Sequence, residues 1–290
     1  VAVLGVGLIG GSIGLAARAR AGAHVRGYDP DPEALRTALQ AGAIDEEAAD
    51  IATAVAEAQV VFAAAPVGVL AGTVAQALAH CAPNCAVSDV GSTKLALEQV
   101  RRDPRFVGGH PLAGAETAGV GNARADLFAG SIWYLTPAAT TDQALYGRLR
   151  ELIERMGARP IAVRADAHDR LMACVSHLPH VLANVLVAQA ADAFEREDSQ
   201  PAAGPSLQDA IRVAGANTAI WTDIYLANSE ALIEAIDETL RRLHDVRTAL
   251  VGADAVELAA WNERARAARA LLLGEGPPVE HRRSNPAADA

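Results

Sequence analysis

Cysteine is scarce: Cys81, Cys85 and Cys174 are the only three in 290 residues. An odd count supports no secreted disulfide framework. The Cys81–Cys85 spacing in "CAPNC" is neither a CxxC redox pair nor half of a repeated zinc motif. A reduced, cytoplasmic protein is the simplest reading. Basic charge is also short, with 25 Lys and Arg against 35 Asp and Glu and a formal net charge of -10. A diffuse acidic balance without a basic stripe speaks against a nucleic-acid surface. No uncharged apolar run of about 18 residues stands out, which speaks against a membrane span. The opening "VAVLGVGLIGGSIGLAA" is apolar but has no basic leader, and reads as strand, turn and helix rather than a signal peptide. Aromatics make up only 4%. What is plentiful is alanine and glycine, in a chain that is 51% hydrophobic and 21% charged. That mix builds a sizeable core with tight turns, in one large domain or two ordinary ones.

Strand and helix signals alternate up to about residue 164. "VAVLGVG", "HVRGYD", "AQVVFAAAPV", "CAVSDV", "RFVGGHPLAG", "SIWYLTP" and "RPIAVR" read as strands. Helices are predicted between them, including "DPEALRTALQAG", with Pro32 in its first turn and Gly42 at its stop, and one beginning at "STKLALEQV". Such alternation predicts a mostly parallel sheet with helices on both faces. Beyond it the strand signal vanishes. "DAHDRLMACVSHLPHVLANVLVAQAADAFE" is a long helical segment in which Leu171, Val175, Leu178, Leu182, Val185 and Gln189 share a mostly apolar face. After a break at 197–205, further helices run through "SLQDAIRVAG", Ile220 to Leu250 and "AVELAAWNERARAARALLL". The expected division is an α/β nucleotide-binding domain of Rossmann type over 1–164, an all-α domain over 165–273, and a disordered tail over 274–290. Helices this apolar predict a homodimer that buries them.

"GVGLIG" places Gly5, Gly7 and Gly10 after an apolar strand and at the start of a helix, and Asp29 ends the second strand. A lone GxGxxG is weak, but this context predicts a dinucleotide site. Gly5 permits the turn, Gly7 the approach of the pyrophosphate, and Gly10 the packing of helix on strand. The free amides at Leu8 and Ile9 face the phosphates. Asp29 can accept both hydroxyls of the adenosine ribose and would repel a 2'-phosphate. The expected cofactor is therefore NAD, with NADP possible because Arg26 is near. Pro66 closes the third strand and turns the chain beside that ribose. "SDVGSTK" ends the fourth strand near the nicotinamide; there Ser92 reads as a helix N-cap, and Lys94 as a solvated lysine.

"SDVGSTK", "FVGGHPLAGAE", "SHLPH" and "DAIRVAG...IWTDI", as an ordered set over residues 1 to about 273, resemble the prephenate/arogenate dehydrogenase family of tyrosine biosynthesis. The resemblance implies a nucleotide-binding sheet joined to a helical dimerisation domain. It also implies NAD(P)-dependent oxidative decarboxylation: hydride leaves C4 of a 4-hydroxycyclohexadiene, CO2 leaves C1, and the ring becomes aromatic. His110 is similar to the family's catalytic histidine, and its glycine-flanked loop after a strand suits a base on the nicotinamide side. Ser92 is similar to the serine that bonds the same hydroxyl or that histidine, and Glu116 to an acid of the site's rim. His180 corresponds to a residue reaching the substrate from the helical domain, and Arg212 to the arginine that grips a substrate carboxylate. His168 matches another family histidine or serves as a linker contact.

In "SHLPH", His177, His180 and Asn184 form one polar strip, and Pro179 opens the helix at the carbonyl of Val175. Zinc would need a third and fourth ligand on that strip, so no metal is expected. Trp221 either walls the pocket or packs in the core. Asp209, one turn before Arg212, could receive an ammonium, which tilts the expected substrate toward arogenate with prephenate use alongside. A 4-amino analogue of prephenate also fits. Two other readings stay open: a different NAD(P) dehydrogenase with a helical second domain, and a non-enzymatic dinucleotide-binding protein. The first would place a catalytic lysine in the helical half, and the second has no use for His110, Ser92 and Arg212 together.

Overall fold

The computed structural model describes residues 1–114, 117–197 and 200–275. Its architecture follows from strands that are apolar on both sides. In β1 (Ala2–Leu4) and β4 (Val60–Ala63), Val3, Val60 and Phe62 enter one core, and Ala2, Leu4, Val61 and Ala63 enter another. Such strands need cover on both faces. Helices α1 (Leu8–Ala21) and α5 (Gln143–Arg155) supply Ile13, Ala16, Leu149 and Ile153 to the first core. Helices α3 (Ile51–Val55) and α4 (Val67–His80) supply Val55, Leu70 and Val74 to the second. Each large side chain fully buried in this way contributes about 1.5–3 kcal/mol relative to exposure. α2 (Pro32–Gln40) begins as its sequence predicts, with Asp31 accepting from the Glu33 amide at 2.9 Å and proline in the first turn.

The remaining strands are β2 (Arg26–Tyr28), β3 (Glu46–Glu47), β5 (Ala86–Asp89), β6 (Phe106–Pro111), β7 (Ile132–Thr136) and β8 (Arg159–Ala162). They join one eight-stranded sheet in the order β3-β2-β1-β4-β5-β6-β7-β8. Neighbours are parallel except β6 and β7. The winding reverses between β1 and β4, and a doubly wound sheet opens its ligand crevice at the carboxyl ends of the strands there. His110 lies near the carboxyl end of β6, paired with Tyr134 of β7, on strand rather than in the expected loop. The helix expected from "STKLALEQV" is only a 3-10 turn, Leu95–Leu97. Ser92 therefore caps no α-helix.

The helical part comprises α6 (Ala165–Met172), α7 (Leu178–Arg196), α8 (Pro205–Ile211), α9 (Thr218–Ala227), α10 (Ser229–Val251) and α11 (Ala255–Leu272). Asn228 breaks the helix expected to run from Ile220 to Leu250. A π-helical turn, Ala173–His177, joins α6 to α7. Pro179 explains it: without an N–H it cannot bond the Val175 carbonyl, and the widened turn absorbs the mismatch. The run Ala165–Arg196 is long and apolar enough to cross a membrane by length and composition, which corrects the expectation that no such run exists. It is also inverted. Leu171, Val175, Leu182 and Val185 are exposed, whereas His168, His177 and His180 are buried.

Val1–Ala235 forms one compact unit and the chain from Ile236 another, with the boundary inside α10. Within the second unit, α10 and α11 carry ion pairs such as Arg242–Glu238 at 2.7 Å and Arg264–Glu257 at 2.8 Å. Leu240, Leu243, Val256 and Trp261 are exposed there.

Candidate active site

A chain of three side chains ends at His110. Its Nδ1 lies 2.9 Å from His168 Nε2, and His168 Nδ1 lies 2.7 Å from Asp169 Oδ1. His168 and Asp169 are fully buried on α6; His110 is half-buried. The Asp169 carboxylate also accepts from the backbone amides of Lys94 and Leu95, each at 2.8 Å, so it caps the 3-10 turn from across the fold. An acceptor with this set of donors fixes the protons. His168 donates from Nδ1 and is left with an acceptor at Nε2. In the neutral pair His110 then donates from Nδ1 and keeps the lone pair on Nε2, the state required of a general base. Tyr134 meets the His168 ring edge to face at 5.6 Å and helps fix its plane.

Burial, then His168, Lys94 and more weakly His177, hold the His110 imidazole well below the ordinary histidine pKa. Lys94 itself is buried, as is its ion-pair partner Asp89. This corrects the expectation of a solvated lysine. Burial lowers the Lys94 pKa, against the pull of Asp89.

The "SHLPH" histidines form a second cluster. Trp221 stacks on His180 with ring centroids 3.7 Å apart and planes 3° from parallel. The hydroxyl of Tyr225 sits against His180 Nδ1. Trp221 also meets His177 edge to face at 6.2 Å. His177 Nδ1 lies 3.1 Å from the Asn228 side-chain amide, which donates to the Asp169 carbonyl at 2.8 Å. Asn228, at the break before α10, therefore ties this cluster to the His110 chain. Burial pulls the His177 pKa down to about 4 and also lowers that of His180. The Nε2 atoms of both are buried and have no hydrogen-bond partner among the described residues. A buried polar atom without a partner is costly in a finished core and expected where a ligand binds.

The glycine turn sits at the switch point of the sheet. A Cβ on Gly10 would run into the Gly5 carbonyl, so helix α1 packs on the turn only through glycine. At Gly7 the fold makes no such demand: φ is -68° and, apart from its own chain neighbours, no atom of the described residues lies within 4 Å of where a Cβ would be. The space over Gly7 suits a group approaching the backbone. Among the described residues no side chain caps the first amides of α1. Asp29 accepts from the Val6 amide at 2.9 Å and from the Asp31 amide at 2.9 Å, so it braces the turn that it borders. Arg26 lies at the opposite end of β2 and bonds Glu46 at 2.9 Å. Nothing basic from β2 therefore opposes Asp29. These features fit a dinucleotide.

Residues 13–162 match the family described as "Prephenate dehydrogenase, nucleotide-binding domain", and residues 164–263 match "Prephenate dehydrogenase, dimerization domain". The chain belongs to the prephenate dehydrogenase family. It is 32% identical to a prephenate dehydrogenase of Bacillus subtilis over 99% of this chain and 78% of that protein. It is also 32% identical to a cyclohexadienyl dehydrogenase of Zymomonas mobilis over 94% of this chain and 95% of the relative. A solved prephenate dehydrogenase from A. aeolicus, in complex with hydroxyphenyl propionate and NAD+, superposes with a TM-score of 0.85. It is 28% identical and covers 93% of this chain and 97% of its own.

Set against this prephenate dehydrogenase family fold, the expected site residues separate into groups. His110, His168 and His177 converge, the last through Asn228. His180 and Trp221 stack on each other next to them. Gly5, Gly7, Leu8, Ile9, Gly10 and Asp29 assemble at the crevice, and exposed Pro66 follows β4 as the N-cap of α4. Ser92 is half-buried in the loop after β5 and makes no hydrogen bond among the described residues. Asp209, on α8, and Arg212, at the turn that follows, are exposed. Glu116 lies outside the described residues. Asp169, Asp89 and Asn228 were not anticipated, and Lys94 was expected only as a solvated lysine. The available signal was Asp89 itself, an acid closing an apolar strand five residues before a lysine.

Proposed function

We propose that this protein is an NAD-dependent prephenate/arogenate dehydrogenase and that His110 is its general base. The observation that carries this is the chain Asp169–His168–His110, which leaves a lone pair on His110 Nε2 at the carboxyl edge of the sheet. Gly7, the amides of Leu8 and Ile9, and Asp29 would hold NAD, whose nicotinamide supplies the hydride acceptor. His110 Nε2 accepts the proton of the substrate 4-hydroxyl as the C4 hydride leaves and the C4 carbonyl forms. The electron pair of the C1–carboxylate bond then enters the ring, CO2 departs and the ring becomes aromatic. The resulting phenolate oxygen recovers the proton. Asp169 and His168 hold the imidazole in the accepting tautomer and face the charge that it gains. Ser92 stands in the loop after β5 as a partner for the hydroxyl. His177 and His180, whose buried Nε2 atoms have no hydrogen-bond partner among the described residues, would contact the substrate, with Trp221 stacked on the His180 ring. Arg212 engages a substrate carboxylate, and Asp209 one turn earlier would receive the arogenate ammonium. We read both substrates as accepted. Direct assay of prephenate and arogenate, each with NAD and NADP, tests the reading. Turnover of neither substrate refutes it.

Asp29→Ala should raise the KM for NAD by about 10- to 100-fold, the scale of one or two lost charge-assisted hydrogen bonds. It should leave kcat at saturating NAD much closer to wild type. Initial-rate kinetics checks this, and an unchanged KM removes Asp29 from the ribose site.

We also propose that 1–164 and 165–273 act as nucleotide and substrate domains, and that the outward apolar face of α7 is covered by a second copy of the chain. The match to a dimerisation domain over 164–263 and the exposure of Val175, Leu182, Val185 and Leu186 support this. Val185→Glu should weaken the dimer by about tenfold or more, because each 1.4 kcal/mol is tenfold and a buried unpaired carboxylate costs at least that. Sedimentation velocity over a concentration series reads it. A monomeric parent protein would end the proposal. Three free thiols accord with a reduced cytoplasmic setting.

A further inference from the structure

The β5–β6 ladder stops at Ser88 and Val107, two residues short of Gly109. Beyond that point, side chains take over the side of β6 that β5 no longer pairs. Asp89 Oδ1 accepts from the Gly109 amide at 2.9 Å, and the Lys94 ammonium donates to the Gly109 carbonyl at 2.6 Å. The same ammonium pairs with Asp89 Oδ2, which also accepts from the Gly91 amide at 2.8 Å. Both polar groups of the residue before His110 are thus clamped. The fit is tight: a Cβ on Gly109 would lie 2.5 Å from the Asp89 carbonyl oxygen and 2.7 Å from Ser88 Oγ. Lys94 acts at a second place as well. Its backbone amide donates to Asp169 at 2.8 Å, and Asp169 ends the chain that orients the His110 ring. One residue therefore touches both the backbone that carries the imidazole and the carboxylate that sets its proton.

We propose that Lys94, together with Asp89, is a positioning pair for His110, fixing the backbone of β6 at Gly109 and the Asp169–His168 chain in one register. The inference rests on His110 being the base. A lysine 1% exposed is retained only where its charge is paired. An ion pair with Asp89 alone would meet that need. The bond to Gly109 and the amide contact with Asp169 aim the pair at the imidazole. A misplaced base loses rate without loss of binding, because the reacting atoms must meet within a narrow range of distance and angle.

The test is Lys94→Met combined with Asp89→Asn, which leaves neither charge buried alone. The double variant is examined in the wild-type and His110→Asn backgrounds, with kcat, KM, NAD affinity and the imidazole nitrogen NMR signals of His110 as readouts. In the wild-type background kcat should fall by about 10- to 100-fold. KM and NAD affinity should hold, and the His110 signals should move from one tautomer to a mixture. In the His110→Asn background the residual rate should not change further. An equal fold-loss in both backgrounds, or wild-type kcat with a single tautomer, overturns the proposal. If His110→Asn alone keeps full turnover, the base assignment fails instead. Should the double variant not fold, Lys94→Arg keeps the charge, alters the reach to Gly109 and is read by the same criteria.

Discussion

Replacing His110 with asparagine is expected to cut kcat by about 10²–10⁴-fold, the range for a lost general base, with NAD binding intact. Asparagine retains a hydrogen-bonding side chain of similar reach but cannot take up a proton. The residue sits at the carboxyl end of β6, away from the glycine turn after β1, so the cofactor site should not notice the change. The pH dependence sharpens the expectation. Burial first, then the neighbouring His168 and Lys94, lower the His110 pKa, so the neutral, accepting form persists below pH 6.5 in the substrate-free protein. Activity governed by it is present above the lowered pKa and is lost as pH falls through that value. The acid limb of kcat/KM should therefore lie below the ordinary histidine range, and it should vanish in the asparagine variant. Steady-state kinetics across pH, with a separate NAD titration, checks both parts. An asparagine variant with wild-type turnover removes His110 from the chemistry.

Local signals were legible in the sequence; pairings across the fold were not. "GVGLIG" and Asp29 announce a dinucleotide crevice because strand, turn, helix and acid lie within one short segment. The sheet was legible for the same reason, although β3 is only two glutamates and carries no strand pattern. The antiparallel insertion of β7 depends on a long connection, which no periodicity encodes. Lys94 reads as solvated because an ammonium almost never enters a core unpaired. Only the fold brings it to Asp89, and only the fold brings Asp169 across 75 positions to its amide. Asp169 in "AHDR" reads as an ordinary acid near a helix start. The histidines of "SHLPH" and their shared polar strip were legible from residue type and spacing, and the apolar faces of these helices were expected to lie against a second copy of the chain. The fold buries the polar face and exposes the apolar one.

Asp169→Asn isolates the electrostatic part of this arrangement and should lower kcat by about 10²–10³-fold, as expected when a base is held in the wrong tautomer. The carboxylate accepts from three donors: the amides of Lys94 and Leu95, and His168 Nδ1. An asparagine has one acceptor oxygen and a donating NH2 group. The two backbone amides cannot change their role, so the oxygen turns to them and the NH2 group faces His168. His168 then accepts at Nδ1 and donates from Nε2. His110 must accept at Nδ1 and carry its own proton on Nε2, the atom that has to be empty for the substrate hydroxyl. Shape is nearly conserved, so KM and NAD affinity should change little, and the loss should appear in kcat. Nitrogen NMR of the imidazoles should show the His110 proton moved from Nδ1 to Nε2. Full turnover in this variant would mean that His168 passes no orientation to His110, and the base would then be fixed by the clamp at Gly109 alone.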